Sequence, residues 1–394
     1  MQLQGWWKGV CLVICLLWVN ACAAFENQLG NRIGTDPQDD PINLEESNIA
    51  PDEVLQFFTT DAFQSDIDGD GNYIWQIPVH AWVYEPVNSQ LRMKMVKESM
   101  AFVYDLQVSS ENVATFEQRV NHFLVDNERG KWFTVQLQQA GNTDSRSLVR
   151  VGNTEANGHV TANLLAEQFV QGLALKPATA SLYYCAKVNA RKVCGRARLI
   201  SQQGLSVISD IDDTVKISDV RSKQALIENT FFNPFVAVPD IAEVYSAWSK
   251  QGVNFHYVSS SPWYLYTELT SFLERAGFPD FSLSLKSFRF RDESLLELFK
   301  DGEATKPGQI RQILEKFPQR QFVLIGDSGE QDPEVYSAIK LQFPEQIKGI
   351  YIRDLGPEDT NQLRVKGLMD NMDGFPIILF KDASELPVSL KPTR

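Results

Sequence analysis

A chain of 394 residues, 43% hydrophobic and 22% charged, is long enough for two globular domains and ordinary in composition. Its net charge of −13 excludes the non-specific nucleic-acid binders, which need basic surfaces. A small anionic substrate stays compatible with that charge, because a metal ion and a few local cations override the global field.

Residues 1–23 read as a signal peptide: Lys8 precedes the apolar run Val10–Val19, and small residues follow at Ala21-Cys22-Ala23-Ala24. The run is too short for a stable membrane-spanning helix. Val19-Asn20-Ala21-Cys22 has the form of a lipobox, which would lipidate Cys22. Ala21-Cys22-Ala23 equally satisfies ordinary small-x-small cleavage. Either route predicts an exported protein of the periplasm or cell envelope. Residues 24–50 are polar and aperiodic, a tether. Export leaves Cys185 and Cys194, in two apolar-aromatic segments around a polar Lys187–Lys192 stretch. The pattern is a hairpin whose cysteines can oxidise across the strands, with two free thiols as the alternative.

Residues 51–201 form the first domain. Strand patterns run over Trp75–Tyr84, Lys131–Leu137, Ser147–Val151 and His159–Leu164, with a helix over Met95–Val125 between the first two. These predict a mostly β, sandwich-like domain with a helical insertion. Asp66-Ile-Asp68-Gly-Asp70-Gly71 opens like a calcium loop, but Ile77 stands where a bidentate Glu is required, and a polar hairpin turn is the simpler reading. His80, His122 and His159 fall at no metal-ligand spacing and read as core or surface residues.

From residue 202 to 394 strands alternate with amphipathic helices, the rhythm of a parallel α/β sheet. The first strand, Val207-Ile208-Ser209, runs into Asp210-Ile-Asp212-Asp213-Thr214. Carboxylates at the carboxyl end of a parallel strand lie where such sheets build their sites. Two of them can divide a phosphoryl transfer, one attacking and one moving protons, with a metal ion easing their repulsion. An Asp-rich turn closing a strand is the plain alternative. Further along come a helix at Ile241–Lys250, a strand at Asn254–Ser259 ending in Ser259-Ser260-Ser261, and a helix at Trp263–Arg275. A helix at Thr305–Phe317 follows with Lys306 in its first turn, then a strand at Phe322–Asp327 and a helix at Pro333–Leu341. The last strands are Ile347–Ile352 and Pro376–Phe380. A cation at a helix start is disfavoured by the helix dipole, which points to a functional reason for Lys306. Ser259 has a competing reading as the cap of the next helix.

The series Asp210/Asp212, Ser259, Lys306, then Asp327 with Asp332 resembles the layout of the haloacid-dehalogenase-like hydrolases. Ser-Asp-Ile-Asp-Asp-Thr-Val-Lys, Val-Ser-Ser-Ser-Pro-Trp, Ile-Gly-Asp-Ser-Gly-Glu-Gln-Asp-Pro-Glu-Val-Tyr and Ile-Tyr-Ile-Arg-Asp narrow the resemblance. They are similar to the actin-patch-type phosphatidate phosphatases and their exported bacterial relatives. Ile-Pro-Val-His-Ala-Trp-Val-Tyr-Glu-Pro and Asp-Asn-Glu-Arg-Gly-Lys in the first domain resemble the same relatives, while Ser260 stands where the family often has Asn. The resemblance implies a Rossmann-like parallel-sheet domain and a Mg²⁺-dependent hydrolysis of phosphatidate to diacylglycerol and phosphate. It implies Asp210 as nucleophile, Asp212 as general acid and base, and Ser259 and Lys306 as phosphoryl-binding groups. Mg²⁺ would be held by Asp210, the Asp212 carbonyl and Asp327, with Asp332 direct or through water. Asp213 is expected to brace the loop and Thr214 to bond its backbone. The apolar stretch Leu226–Val238 reads either as core or as a lipid contact.

A membrane surface is therefore an expected partner. Soluble phosphomonoesters or other lipid phosphates are the alternative substrates, and a non-catalytic envelope binding protein is the alternative of another class.

Overall fold

The first half of the chain is organised by one long strand. β1 (Val54–Phe58) and β2 (Thr60–Ile67) are followed by β3 (Tyr73–Glu85), which pairs antiparallel with both. Two helices follow, α1 (Gln90–Tyr104) and α2 (Ser110–Asn121), then β4 (Asp126–Asn127), β5 (Trp132–Gln138), β6 (Val149–Gly152), β7 (His159–Leu165), β8 (Ser181–Val188) and β9 (Arg191–Leu199). The strands make one curled nine-stranded sheet in the order β1-β3-β2-β9-β8-β5-β6, with β4 and β7 also on β3. The mostly β reading holds, but the strands form this single sheet where a sandwich was expected. Its physical reason is the length of β3, which carries β1 and β2 on one side and β7 on the other.

This structure is a computed structural model that describes residues 47–67, 73–138, 148–165, 181–287, 302–356, 358–369, 372 and 374–390. The signal segment 1–23 with Cys22, most of the tether, and Asp68 and Asp70 of the calcium-like run lie outside the described residues.

Alternation gives β3 two buried faces. Ile77, Val79, Ala81 and Val83 enter the core of the curled sheet. Ile77, Val79 and Val83 each contribute roughly 1.5–3 kcal/mol by leaving water, and Ala81 less. Trp82 and Tyr84, on the other face, share a second core with Phe116 and Val120 of α2 and with Val207, Phe231 and Tyr264 of the second half. The helix expected over Met95–Val125 is two helices, because Asp105 adopts a left-handed conformation (φ 56°) that closes α1. Asp tolerates that conformation better than most residues, so no Gly or Pro announces the break.

The second half holds β10 (Leu205–Ser209), α3 (Lys223–Ile227), α4 (Ile241–Ser249), β11 (Asn254–Pro262), α5 (Tyr266–Arg275), β12 (Phe281–Lys286), α6 (Gly302–Lys316), β13 (Gln321–Asp327), α7 (Asp332–Gln342), β14 (Ile347–Arg353), α8 (Glu358–Met369) and β15 (Ile377–Phe380). The six strands are parallel, in the order β12-β11-β10-β13-β14-β15. Both faces are covered. Tyr245 and Trp248 of α4 and Leu269 of α5 pack with Val207 and Phe255, while Ile310 and Leu314 of α6 and Tyr336 of α7 pack with Ile208 and Leu324. From β10 the chain first winds outward through β11 and β12, then returns to β13 on the opposite side. The crevice at the carboxyl ends of β10 and β13 is therefore the topological switch point, where open α/β sheets bind ligands. Among the described residues, no helix is long and apolar enough to cross a membrane.

The two sheets are also clamped by buried charge. Asp61 of β2 and Arg198 of β9 pair at 2.6 Å, and Asp61 Oδ2 meets His256 Nδ1 of β11 at 2.8 Å. Ser282 of β12 bonds the same carboxylate, and Arg198 donates to the Phe255 carbonyl. Cys185 and Cys194 sit opposite each other in the β8–β9 hairpin and form a disulfide.

Candidate active site

β10 is buried at every position, and its neighbour β13 sets where the loop after it begins: the Asp210 amide donates to the Ile325 carbonyl at 2.8 Å. Asp213 shapes the loop from a left-handed conformation (φ 53°). Its carboxylate accepts the amides of Ser218, Asp219 and Val220 at 2.8, 2.9 and 2.6 Å, which is the bracing expected of it. Arg353, at the end of β14, donates to the Asp213 carbonyl at 2.7 Å. Thr214 differs from expectation. Its buried hydroxyl has no hydrogen-bond partner among the described residues, because the amides of Thr214, Val215 and Lys216 already turn the backbone on the Ile211 carbonyl.

Asp210, Lys306, Asp327 and Asp332 come together. Lys306 Nζ lies 2.8 Å from Asp210 Oδ1, 2.7 Å from Asp332 Oδ1 and 2.8 Å from Glu330 Oε2. Asp327 Oδ1 accepts the amides of Gly329 and Glu330, and Asp332 Oδ2 accepts the Asp327 amide. The helix carrying Lys306 begins at Gly302, so the lysine lies past the first turn and the dipole argument for it falls away. Burial takes its place: the side chain is 4% exposed among acids. Burial would lower its pKa, but Asp210, Asp332 and Glu330 lift it well above the ordinary lysine value.

The carboxylates outnumber that cation. Burial pushes Asp210 well above the usual carboxylate range; Lys306 pulls it back and Asp332, Asp327 and Glu330 raise it again. Asp327 is likewise pushed well up, by burial and then by Asp332. Asp210 Oδ2 and Asp327 Oδ2 are buried with no hydrogen-bond partner among the described residues. Orphaned, hard, anionic oxygens of this kind suit a divalent cation such as Mg²⁺. Ligand atoms of Asp210, Glu330 and Asp332 also lie within 4.8 Å of one another, a grouping able to hold a metal ion. Glu330 was legible as the middle acid of Asp327-Ser-Gly-Glu330-Gln-Asp332, but only the fold shows it turning inward.

Asp212 stands apart from that cluster with partners of its own. Its Oδ1 pairs with Lys216 Nζ at 2.8 Å and accepts from Ser218 Oγ at 2.6 Å. Its Oδ2 accepts from Ser259 Oγ and Ser261 Oγ at 3.2 and 3.3 Å. Burial raises the Asp212 pKa, but Lys216 and these hydrogen bonds more than offset it, and the net direction is down. Ser259 does not cap a helix: β11 continues three residues beyond it to Pro262, and its hydroxyl instead accepts the Ser261 amide at 2.9 Å. Gln309 of α6 reaches back to the Ser259 carbonyl. Ser260, between them, has a buried hydroxyl without a partner among the described residues.

The stretch Leu226–Val238 is mostly core. Ile227, Phe231, Phe232 and Val238 are buried, and Phe232 stacks on Phe116 of α2; Val236 is exposed. Of the histidines read as core or surface residues, His159 is buried and His80 and His122 are half-buried, and the fold brings two of them together. His80 Nε2 and His159 Nδ1 are 3.0 Å apart.

A doubly covered parallel sheet with buried carboxylates and a lysine at its switch point defines an α/β protein whose carboxylate cluster can hold a cation. Residues 205–354 match the family described as phosphatidate phosphatase APP1, catalytic domain. The chain is 35% identical over 163 residues to phosphatidate phosphatase APP1 of Saccharomyces cerevisiae, covering 40% of this chain and 27% of that protein. An uncharacterized Schizosaccharomyces pombe protein is 32% identical over 161 residues, 40% of this chain and 26% of its own length. The chain thus spans about a quarter of the length of these relatives. The segment that carries the site, residues 205–354, is thus similar to the catalytic domain of the APP1-type phosphatidate phosphatases.

Proposed function

We propose that the protein is an exported, Mg²⁺-dependent phosphatidate phosphatase of the haloacid-dehalogenase-like type, working through an aspartyl-phosphate on Asp210. The observation that carries this reading is the convergence of Asp210, Lys306, Asp327 and Asp332 at the switch point of a segment similar to that family's catalytic domain. The strand order from β12 to β15 supports a Rossmann-like assignment. Residues 202–394 would be the catalytic domain and 51–201 a β-rich partner docked on it.

Asp210, Asp327 and Asp332, with Glu330 close by and the Asp212 carbonyl, would hold the Mg²⁺, which supplies charge neutralisation at the phosphoryl group and its nucleophile. Asp210 forms a bond to phosphorus as the bond to the diacylglycerol oxygen breaks, and Asp212 delivers a proton to that oxygen. Water then attacks the phosphorus, its proton passes to Asp212, and the Asp210–phosphorus bond breaks to release phosphate. An incoming phosphate group beside Asp212 opposes the downward pull of Lys216 and favours the protonated form that the first step needs. Lys306 holds charge on the transferring group, and Ser259 and Ser261 line its approach.

The disulfide and the apolar leader support an oxidising compartment, the periplasm or cell envelope, with Cys22 a candidate lipid anchor. The substrate would be met at a membrane surface. The test is phosphate release from short-chain phosphatidate by the mature protein, with Mg²⁺ and with EDTA, beside Asp210→Asn. Metal-dependent turnover lost in the variant supports the reading. Turnover of glycerol phosphate at an equal rate would replace the lipid by soluble phosphomonoesters. No turnover of either by the folded protein would favour a binding role.

A further inference from the structure

The chemistry above leaves a second buried cation, Lys216, without a task. Its side chain is 2% exposed, and its ammonium is held among Asp212, Ser218 and Phe235. Nζ pairs with Asp212 Oδ1 at 2.8 Å, donates to Ser218 Oγ, and lies 4.9 Å from the centre of the Phe235 ring. The backbone that presents it is fixed on both sides. The Lys216 amide donates to the Ile211 carbonyl at 2.9 Å, and the Lys216 carbonyl accepts the Asp213 amide at 2.6 Å. The Ile217 amide donates to Val236 at 2.9 Å, and the Val238 amide to Val215 at 3.0 Å.

The ring that backs Lys216 is held from the first half of the chain. The Arg119 guanidinium of α2 lies 3.7 Å from the Phe235 centroid and donates to the Thr230 carbonyl at 2.8 Å. An unbroken set of contacts therefore runs from α2 through Phe235 and Lys216 to Asp212. The two oxygens of Asp212 differ accordingly. Oδ1 carries an ion pair and a short hydrogen bond, whereas Oδ2 has only the longer contacts of Ser259 and Ser261.

We propose that Lys216 is a positioning residue: with Ser218 it anchors Asp212 by Oδ1 and so presents Oδ2 to the departing oxygen of the substrate. Lys216 itself touches neither substrate nor phosphorus. The inference rests on the proton-transfer role proposed for Asp212. It explains what the helical insertion of the first half contributes, because α2 braces the ring against which Lys216 lies.

Leaving-group dependence tests it. A misplaced Asp212 harms departure of a poor leaving group, an alkoxide, far more than departure of p-nitrophenolate, which needs no proton. Lys216→Met, Lys216→Arg and Asp212→Asn are compared with the unmodified protein on short-chain phosphatidate and on p-nitrophenyl phosphate, with circular dichroism as the check on folding. In Lys216→Met, kcat/KM for phosphatidate, which reports only the steps up to departure of the leaving group, is expected to fall about 10²-fold or more, with kcat/KM for p-nitrophenyl phosphate within a few-fold, and Lys216→Arg should recover part of the difference. Equal loss on both substrates in a folded Lys216→Met would overturn the proposal and leave Lys216 a structural residue. Should that variant not fold, Ser218→Ala removes the other Oδ1 anchor; a bias of the same sign supports the proposal and its absence overturns it. Asp212→Asn separates the two ideas. If it shows the bias and Lys216→Met does not, the positioning role alone fails. If Asp212→Asn shows no bias, the proton-transfer role fails and takes the inference with it.

Discussion

Asp332 lies in the space that a side chain on Gly326 would need. A Cβ built on Gly326 stands 2.2 Å from Asp332 Oδ2 and 2.8 Å from its Cβ and Cγ. Asp332 opens α7 and folds back over the end of β13, where its Oδ2 meets the Asp327 amide and its Oδ1 meets Lys306. Only a bare backbone at 326 allows this return. Gly326→Ala is therefore expected to push Asp332 away from Lys306 and Asp327 while β13 keeps its place in the sheet. Phosphate release should fall about 10²-fold, the scale of losing one well-placed electrostatic group. Circular dichroism should be unchanged, and equal activity in the Ala variant would show that Asp332 can move without consequence.

Lys306 neutralises a cluster that is otherwise all acid. Lys306→Met leaves Asp210 and Asp332 buried with no cation among the protein groups that now meet them. Removing one partner of a buried ion pair destabilises by about 3–5 kcal/mol, so the metal-free variant should melt well below the unmodified protein. Mg²⁺ should raise the melting temperature of the variant more than that of the parent, since it then supplies the missing charge. Activity should drop by about 10²–10³-fold even with saturating Mg²⁺. Thermal unfolding with Mg²⁺ and with EDTA checks both halves, and an unchanged melting temperature without metal would mean that the carboxylates are already protonated.

The hairpin disulfide is the simplest stability test. Cys185 and Cys194 are nine residues apart, so reduction frees a short loop. Chain entropy alone assigns such a closure roughly 2–3 kcal/mol. The double variant Cys185→Ser/Cys194→Ser should lose about that much in urea unfolding, with phosphatase activity retained because the hairpin lies in the curled sheet, away from β10 and β13. Dithiothreitol should lower the melting temperature of the parent and leave the double variant unchanged.

What the sequence made legible follows from how local each signal is. Asp210 and Asp327 were readable because an apolar run that ends in a carboxylate is a one-strand pattern, and Asp332 from its place five positions after Asp327 in a quoted motif; the fold brings them together. The β8–β9 hairpin was readable from its polar centre. Lys216 and Glu330 were within quoted motifs but had no reason to be singled out, since a lysine in a polar loop is usually solvated. Their burial depends on Phe235 and on α6, far away in the chain. The clamp of Asp61, Arg198 and His256 joins three distant strands and leaves no trace in any one of them. α8 went unread because it shows no apolar face: Val365 is buried, whereas Leu363 is 69% exposed. β12 went unread although its Phe-Ser-Leu-Ser-Leu alternation is itself a strand pattern.

Two histidines set an acid limit on stability. His159 is buried against Phe58 and Trp82, and burial pushes its pKa down to about 3. His80, 3.0 Å from it and beside Trp263, is also held well below the ordinary value, first by burial and then by His159 and Lys316. Each is neutral in the fold and free to take a proton when unfolded, where its pKa is near 6.5. Between about pH 3 and 6.5 the unfolded chain thus binds more protons, so stability rises with pH there and is lost as pH falls below the unfolded value. At pH 5 His159 would cost about 2 kcal/mol relative to pH 7.5, and His80 adds to it in the same direction. Urea unfolding across pH 4.5–7.5 should show this slope, and His159→Asn should flatten it, because one of the two protonations is then removed from both states. Asp61, whose pKa is held low by Arg198 and His256 against the effect of burial, adds to acid destabilisation only at lower pH, as its folded-state proton is taken up last. A parent and a His159→Asn variant with the same slope between pH 5 and 6.5 would show that the pair is hydrated enough in the fold to protonate there.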